Sequence, residues 1–386
     1  MKTYDTLIVG GGIIGASLAF ELAQRSQSVL LLDRQEPGHE ASWAAAGTIS
    51  PAPGESLADA ALSCESYRLY PGFVSAIEAA GQSAGFHPNG AIELFFGLAA
   101  EFERDHRLQQ ICSPGVDAEP LSLAEARRRE PAIGPSARAA LWITDEAYLD
   151  PRVLTAVTLR AANQAGAEIR SNTEAISVMA SDGSCTGVLA ARTETHRAGE
   201  LQVRTAEKIQ AQNVVIAAGW RSKEIGGVES WAPTIPVRGQ IIALGYVLGA
   251  PRTILRCERG YMAPRDDGRI IAGSTVEPGA LDKHPTADGL QKIISAAIEM
   301  APALADAAVL DSWAGIRPDS PDHLPIIGAT DTKGLFIATG HYRNGMLLAP
   351  ATAKYLAEWI VEGRVSKLLE PFSPMRFAAA SRSANS

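Results

Sequence analysis

Gly10-Gly11-Gly12-Ile13-Ile14-Gly15 has the spacing with which a backbone cradles a pyrophosphate. The motif follows the apolar run Thr6-Leu7-Ile8-Val9. It precedes apolar residues at helical spacing, Ile14, Leu18 and Leu22, so it reads as strand, glycine turn, helix. Gly10 permits the tight turn, Gly12 lets backbone approach phosphate, and Gly15 lets the helix pack closely on the strand. The helix start adds N–H donors and partial positive charge. A second apolar run, Val29–Leu32, ends at Asp33, where a carboxylate accepts from ribose hydroxyls. The pattern points to a dinucleotide; the plain alternative is a tight turn beside a solvated aspartate.

This fingerprint does not separate FAD from NAD. Thr339-Gly340-His341-Tyr342-Arg343-Asn344-Gly345-Met346-Leu347 sets a second glycine-cornered turn before a helix, at the other end of the chain. A nicotinamide enzyme has little use for it. A flavin has, because its ring lies far from the pyrophosphate and its pyrimidine end becomes negative on reduction, a charge that a helix N-terminus stabilises. A tight strand-to-helix connection is the alternative. Ala41–Ile49, ASWAAAGTI, offers small side chains in a row. These suit close contact with something large and flat, or else a tight helix start.

An amino acid brings a carboxylate and an amine on one carbon, and a dry pocket binds its carboxylate best with a planar bidentate cation. Arg317 ends the apolar stretch Asp311–Ile316 and precedes Pro318, where a strand end projects a side chain into a site. Tyr261, between Gly260 and Met262, offers a phenol on another strand, and Arg343 stands at the second glycine turn. The structural alternatives are a salt bridge for Arg317, a core tyrosine for Tyr261 and a helix-end ion pair for Arg343. His341 reads as a packing or backbone-bonded histidine rather than a base. The other histidines lie in polar stretches without triad or metal partners, and neither G-x-S-x-G nor a P-loop occurs.

The elements that must carry these groups follow from the rest of the 386 residues. Residues 57–112 read as mostly helical around a break at Gly85–Gly90, with a strand at Ala91–Phe96. A helix spans Asp150–Ala165, capped by Asp150-Pro151. Strands are expected at Glu168–Val178, Ser184–Arg192, Asn213–Ala217, Pro236–Leu244, Gly260–Pro264, Arg269–Gly273 and Gly334–Ala338, and helices at Asp288–Met300 and Gly345–Val361. A Pro-rich turn follows Trp313–Pro318, and the tail after Phe377 is expected to fray. The fold class is α/β, with two interleaved domains. One, nucleotide-binding and Rossmann-like, takes 1–70, 143–229 and 313–386; the other, an α+β substrate domain, takes 71–142 and 230–312.

A net charge of −8 argues against a nucleic-acid partner. The one basic run, Arg127-Arg128-Arg129, reads as a helix end. Cys64, Cys112, Cys185 and Cys257 show neither metal spacing nor CxxC, so no metal site is expected, and the thiols read as buried small hydrophobes. The N-terminal apolar stretch is short and broken by glycines, so no membrane segment is expected and the cytoplasm is the default.

GGGIIG, ASWAAAG, NVVIAAGWRS, PVRGQ, RGYMAPR, WAGIRP and GHYRNGMLLAP together resemble the D-amino-acid oxidase superfamily, most of all its glycine oxidases of thiamine biosynthesis, over residues 4–362. The resemblance implies FAD contacts at Ile13, Ile14, Asp33, Arg34, Ala41, Ser42, Ala46, Gly47, Thr48, Ala175 and Gly219. It adds His341, Tyr342, Arg343, Asn344, Gly345, Met346 and Leu347. It implies carboxylate contacts from Arg317 and Tyr261, with Arg343 beside the ring. Thr48 and Val276 stand where glycine oxidases often carry Met, which changes the pocket. The implied reaction sends hydride from the α-carbon to flavin N5, leaves an imine, and reduces O2 to hydrogen peroxide. No strong protein base is needed. A dehydrogenase feeding a quinone or protein acceptor is the alternative. Monomeric sarcosine oxidases bind FAD covalently through a cysteine near the position of Ala314–Pro318; none lies after Cys257 here, so noncovalent FAD is expected. A homotetramer and a supply of imine for thiazole synthesis are also implied.

Overall fold

The computed structural model describes residues 2–52, 59–112, 115–196 and 201–378. The apolar N-terminal run forms the strand Thr3–Val9 at the centre of an eight-stranded sheet. Leu201–Ile216 and Val29–Leu32 flank it in parallel. Glu168–Arg170 extends one side and Leu335–Thr339 the other, both also parallel. Such strands are buried on both faces, which is why they read as continuous apolar runs. Ile8, Leu31 and Val215 face the helices Ile13–Gln24, Ala60–Glu78, Pro151–Gln164 and Gly345–Glu362. Leu7, Leu30, Val214 and Ile216 face the opposite way, onto an antiparallel layer that includes Val188 and Ala190.

The second sheet has nine strands among the described residues. Its centre is Ile235–Leu244, antiparallel to Val309–Asp319 on one side and to Ile270–Gly273 and Glu277–Pro278 on the other. Gly260–Pro264, Ile254–Cys257, Ala91–Phe95, Ala139–Ile143 and Ala118–Leu121 follow. The helix Ala287–Met300, capped by Thr286, covers one face through Ile293, Ala297 and Met300. The other face turns Ile241, Ile271, Trp313 and Tyr261 toward Ala44 and Ala46 of the N-terminal half. The functional site lies on that side. The molecule thus has the α/β architecture expected from the sequence, a sheet with a parallel core packed against helices beside a second, mostly antiparallel sheet.

Several expectations need revision. The strand taken as Asn213–Ala217 starts at Leu201 and pairs with Ser184–His196; its polar first half lacks the apolar signature of a core strand. The stretch Ala41–Ile49 forms a short helix, Ala41–Ala44, then a strand, Thr48–Ile49, paired with Ala147–Tyr148. Val309–Asp319 crosses position 313, and the expected proline-rich turn follows it before the strand Ile326–Ala329. Pro318 stands opposite Pro236, so the missing N–H donors fall on one rung of the ladder. The basic run ends the helix Leu123–Arg129, where Arg128 and Arg129 pair with Glu125. Of the four thiols only Cys185 is buried; Cys112 is exposed, and Cys64 and Cys257 are half-buried. Ala378 is buried. The rest of the expected frayed tail, 379–386, and positions 57–58 of the expected helical stretch lie outside the described residues.

Candidate active site

A continuous cavity of about 990 Å³ runs from the first glycine turn to the exposed ends of the second sheet. That is the upper end of the ~300–1,000 Å³ usual for ligand clefts. Every site residue expected from the sequence lines it except Gly15. Gly15 lies beneath, and its part is steric: a Cβ there would meet the Gly10 carbonyl oxygen at 1.9 Å. Gly10 has φ +110°, and a Cβ on it would strike the Ala217 carbonyl oxygen at 2.4 Å.

Asp33 accepts from Gly11 N–H (2.8 Å) and Gln35 N–H (3.0 Å), one on each oxygen. Burial lifts its carboxyl above the ordinary range despite those two bonds. Each oxygen keeps a lone pair for a ribose hydroxyl. Arg34 lines the same end and pairs with Glu40, which also binds Lys283. Ser42 caps the first helix by accepting from Ile13 N–H (2.9 Å). Gly12 faces it closely enough that a Cβ would come 3.1 Å from the Ser42 hydroxyl.

Ala41, Ala46, Gly47 and Thr48 form the middle of the wall. Trp313 Nε1–H donates to Ala44 O (3.1 Å), Arg265 donates to Ala46 O, and Leu149 N–H donates to Gly47 O (2.9 Å). Gly47 has φ +74°, and a Cβ there would meet Leu149 O at 2.1 Å. Ala175 and Gly219 close the side beside the first sheet. These contacts hold the small residues rigidly, a suitable wall for a flat ring. The cavity is long, cornered by glycines at both ends and walled by small side chains, so it fits an extended flavin dinucleotide.

At the far end Tyr342 has φ +47° and its N–H donates to Pro318 O (2.7 Å). That bond ties the start of the last helix to the strand end bearing Arg317. Asn344 Nδ2 donates to Asp59 (3.0 Å), and Gly345, Met346 and Leu347 begin the helix. His341 is buried, its Nε2 3.1 Å from Thr352 Oγ1, so its partner is a side chain rather than backbone. Burial pushes its pKa down to about 3, so it is neutral at ordinary pH and a poor proton acceptor. Its folded pKa lies below the unfolded one; as pH falls from about 6.5 to about 3, the unfolded chain gains a proton and stability is lost. Between about pH 7 and 4, the urea midpoint of the unmodified protein should therefore drop further than that of His341→Asn.

Arg317 makes no ion pair among the described residues. Its Nη1 donates to Thr275 O (3.0 Å) and more weakly to Arg238 O (3.4 Å), and Nη2 donates to Ser274 Oγ (2.7 Å). Burial draws its pKa down, opposed by the field of Tyr261. The guanidinium lies over Gly239, where a Cβ would sit 2.1 Å from Nη2. Tyr261 is half-buried, and no hydrogen-bond partner for its hydroxyl is found among the described residues. Arg343 is exposed and makes no ion pair there either. Val276 lines the rim and is 47% exposed. A cation fixed by neutral acceptors, with a tyrosine and a second arginine near it, is built to receive a carboxylate.

Gly239 was not singled out from the sequence, although it sits within PVRGQ. Gly239→Ala should displace the guanidinium and raise the KM of a carboxylate substrate roughly tenfold or more, with FAD content unchanged. Ser274, Thr275 and the Ser42 cap were also missed, because each acts through contacts distant in sequence. Cys257 lines the cavity too, and burial raises its thiol pKa.

Residues 5–359 match the family model described as DAO, FAD dependent oxidoreductase. The bifunctional protein ThiO/ThiG of Synechocystis is 34% identical over 388 residues, covering 97% of this chain and 54% of that protein. The chain therefore spans about half the length of that relative. The glycine oxidase of Pseudomonas aeruginosa is 33% identical over 391 residues, covering 97% of this chain and 98% of the relative. The crystal structure of glycine oxidase from Geobacillus kaustophilus superposes with a TM-score of 0.87 at 28% identity, covering 97% of this chain and 99% of that one. No helix among the described residues is long and apolar enough to cross a membrane. With the two glycine turns, the small-residue wall and the Arg317 guanidinium in one cavity, this chain belongs to the family of FAD-dependent oxidoreductases that includes the glycine oxidases.

Proposed function

We propose that this protein oxidatively deaminates glycine or a comparably small amino acid. The observation that carries the reading is Arg317: a half-buried guanidinium over the cavity, held by neutral acceptors and by no carboxylate among the described residues. FAD, when bound, would supply the hydride acceptor for the α-carbon, with O2 as the final oxidant and hydrogen peroxide as its product. Arg317 takes the substrate carboxylate bidentately, and the Tyr261 hydroxyl donates to the same group. These two contacts fix the α-carbon, and alignment supplies most of the acceleration. Arg343 lines the cavity beside them, and the substrate binds with its amine neutral, so the nitrogen lone pair forms the imine as hydride leaves and no protein base is needed. The neutral His341 holds the helix start and moves no proton. Thr48 and Val276 set the pocket's size and polarity.

Gly10, Gly12–Ile14, Asp33, Arg34, Ala41, Ser42, Ala46–Thr48, Ala175, Gly219 and His341–Leu347 hold FAD noncovalently in this reading, with Gly15 shaping the turn beneath, within a discontinuous nucleotide domain beside a substrate domain. Names of relatives such as glycine oxidase and ThiO/ThiG support a place in thiamine biosynthesis. The same reading takes the protein as a cytoplasmic homotetramer that supplies an imine for thiazole synthesis. The test is turnover of glycine, sarcosine, D-alanine and D-proline with oxygen and peroxide both measured. One small amino acid should consume O2 and yield peroxide in equal amounts. Turnover with a quinone but not with O2 would contradict the oxidase reading.

A further inference from the structure

Two residues that orient Arg317, Ser274 through its hydroxyl and Thr275 through its backbone carbonyl, belong to the short segment between the strands Ile270–Gly273 and Glu277–Pro278. Arg317 lies over Gly239 on the cavity face of Ile235–Leu244. Side chains alternate along a strand, so Arg238 and Gln240 stand on the reverse face. There they converge on Glu277, which also pairs with Arg238 across the ladder. Glu277 Oε2 accepts from Arg238 Nε (2.7 Å) and Nη2, and Oε1 accepts from Gln240 Nε2 (2.6 Å) and the Thr275 hydroxyl. Gln240 N–H in turn donates to Thr275 Oγ1 (3.0 Å). The segment is thus gripped from behind while its Thr275 carbonyl and Ser274 hydroxyl hold the guanidinium in front.

We propose that Glu277 is a positioning residue: from the face of the sheet opposite the cavity, it fixes the two acceptors that aim Arg317 at the substrate carboxylate. The inference rests on the reading of Arg317 as the carboxylate anchor. Glu277 touches neither substrate nor cofactor, and it does not line the cavity. Its carboxylate takes four donors; a carboxamide keeps the shape but turns an N–H donor toward one pair of them and leaves Arg238 to Asp282 alone among the carboxylates it pairs with in the described residues. Ser274 and Thr275 are then free to shift, and the guanidinium with them.

The test uses the FAD-loaded protein and acetate as the probe, with binding followed through the flavin absorbance. In Glu277→Gln, the acetate Kd and the amino-acid KM should each rise about tenfold, with kcat at saturation within about twofold and FAD content unchanged. In an Arg317→Lys background the same substitution should add little, because the two act as one unit. Thr275→Val, which cuts the hydroxyl link, should raise both constants in the same direction and carries the test should Glu277→Gln not fold. Acetate binding and KM equal to the unmodified protein in both variants would overturn the proposal. So would a tenfold effect that persists undiminished beside Arg317→Lys. An unmodified protein whose flavin absorbance ignores acetate at every concentration would instead sink the anchor reading itself, and this inference with it.

Discussion

Arg317→Ala should cut kcat/KM for the amino acid roughly 30- to 5,000-fold, the ~2–5 kcal/mol lost when one member of a buried charge pair is truncated. The protein should remain yellow. The guanidinium is held by Ser274 and Thr275 and pairs with no carboxylate among the described residues, so its removal orphans no anion there and gives little cause to unfold. The loss falls on the substrate carboxylate, which would enter a dry pocket unpaired. Arg317→Lys should recover only part, since an ammonium keeps the charge but lacks the planar fork. Steady-state kinetics with a flavin assay on the same sample separate the cases. A colourless Arg317→Ala protein would mean that the arginine holds the cofactor instead.

Gly15→Ala should strip the protein of its flavin. A Cβ at Gly15 falls 1.9 Å from the Gly10 carbonyl oxygen and 3.3 Å from Ile8 Cγ2. Neither neighbour can move cheaply: Gly10 is itself wedged against Ala217, and Ile8 is fully buried. The helix start must therefore lift away from the turn. Overpacking of this kind costs ~1–3 kcal/mol or more, so FAD affinity should fall roughly 10- to 100-fold. Purified Gly15→Ala should be pale and regain colour only at FAD concentrations well above those the unmodified protein needs. Full retention of FAD would show that the first turn does not set the approach of backbone to cofactor.

The two predictions draw on features of different legibility. The Gly10–Gly15 turn could be read because its chemistry is local: strand, corner and helix lie within one short stretch, and each glycine has its own steric reason. The last helix and Arg317 could be read for the same cause, since a residue type and its neighbours already state the demand. What aims Arg317 could not. Gly239, Ser274 and Thr275 meet it, and Glu277 grips Thr275 from behind, only because three strands are registered side by side, and register between distant segments leaves no mark on either one. Ser42 illustrates the same limit. It read as one small residue among several, yet it caps the first helix because the 41–48 stretch folds back over the glycine turn. The strand Leu201–Ile216 was half visible, because only its buried half is apolar. Long antiparallel strands facing solvent carry polar sequences that resemble loops.

The most direct measurement is anaerobic mixing of the FAD-loaded protein with glycine, followed by flavin absorbance, and then with sarcosine, D-alanine and D-proline. Rapid bleaching by at least one of them, lost in Arg317→Ala, is the result expected if the Arg317 guanidinium delivers a small amino acid to the flavin. An oxidised spectrum that none of the four disturbs would contradict it.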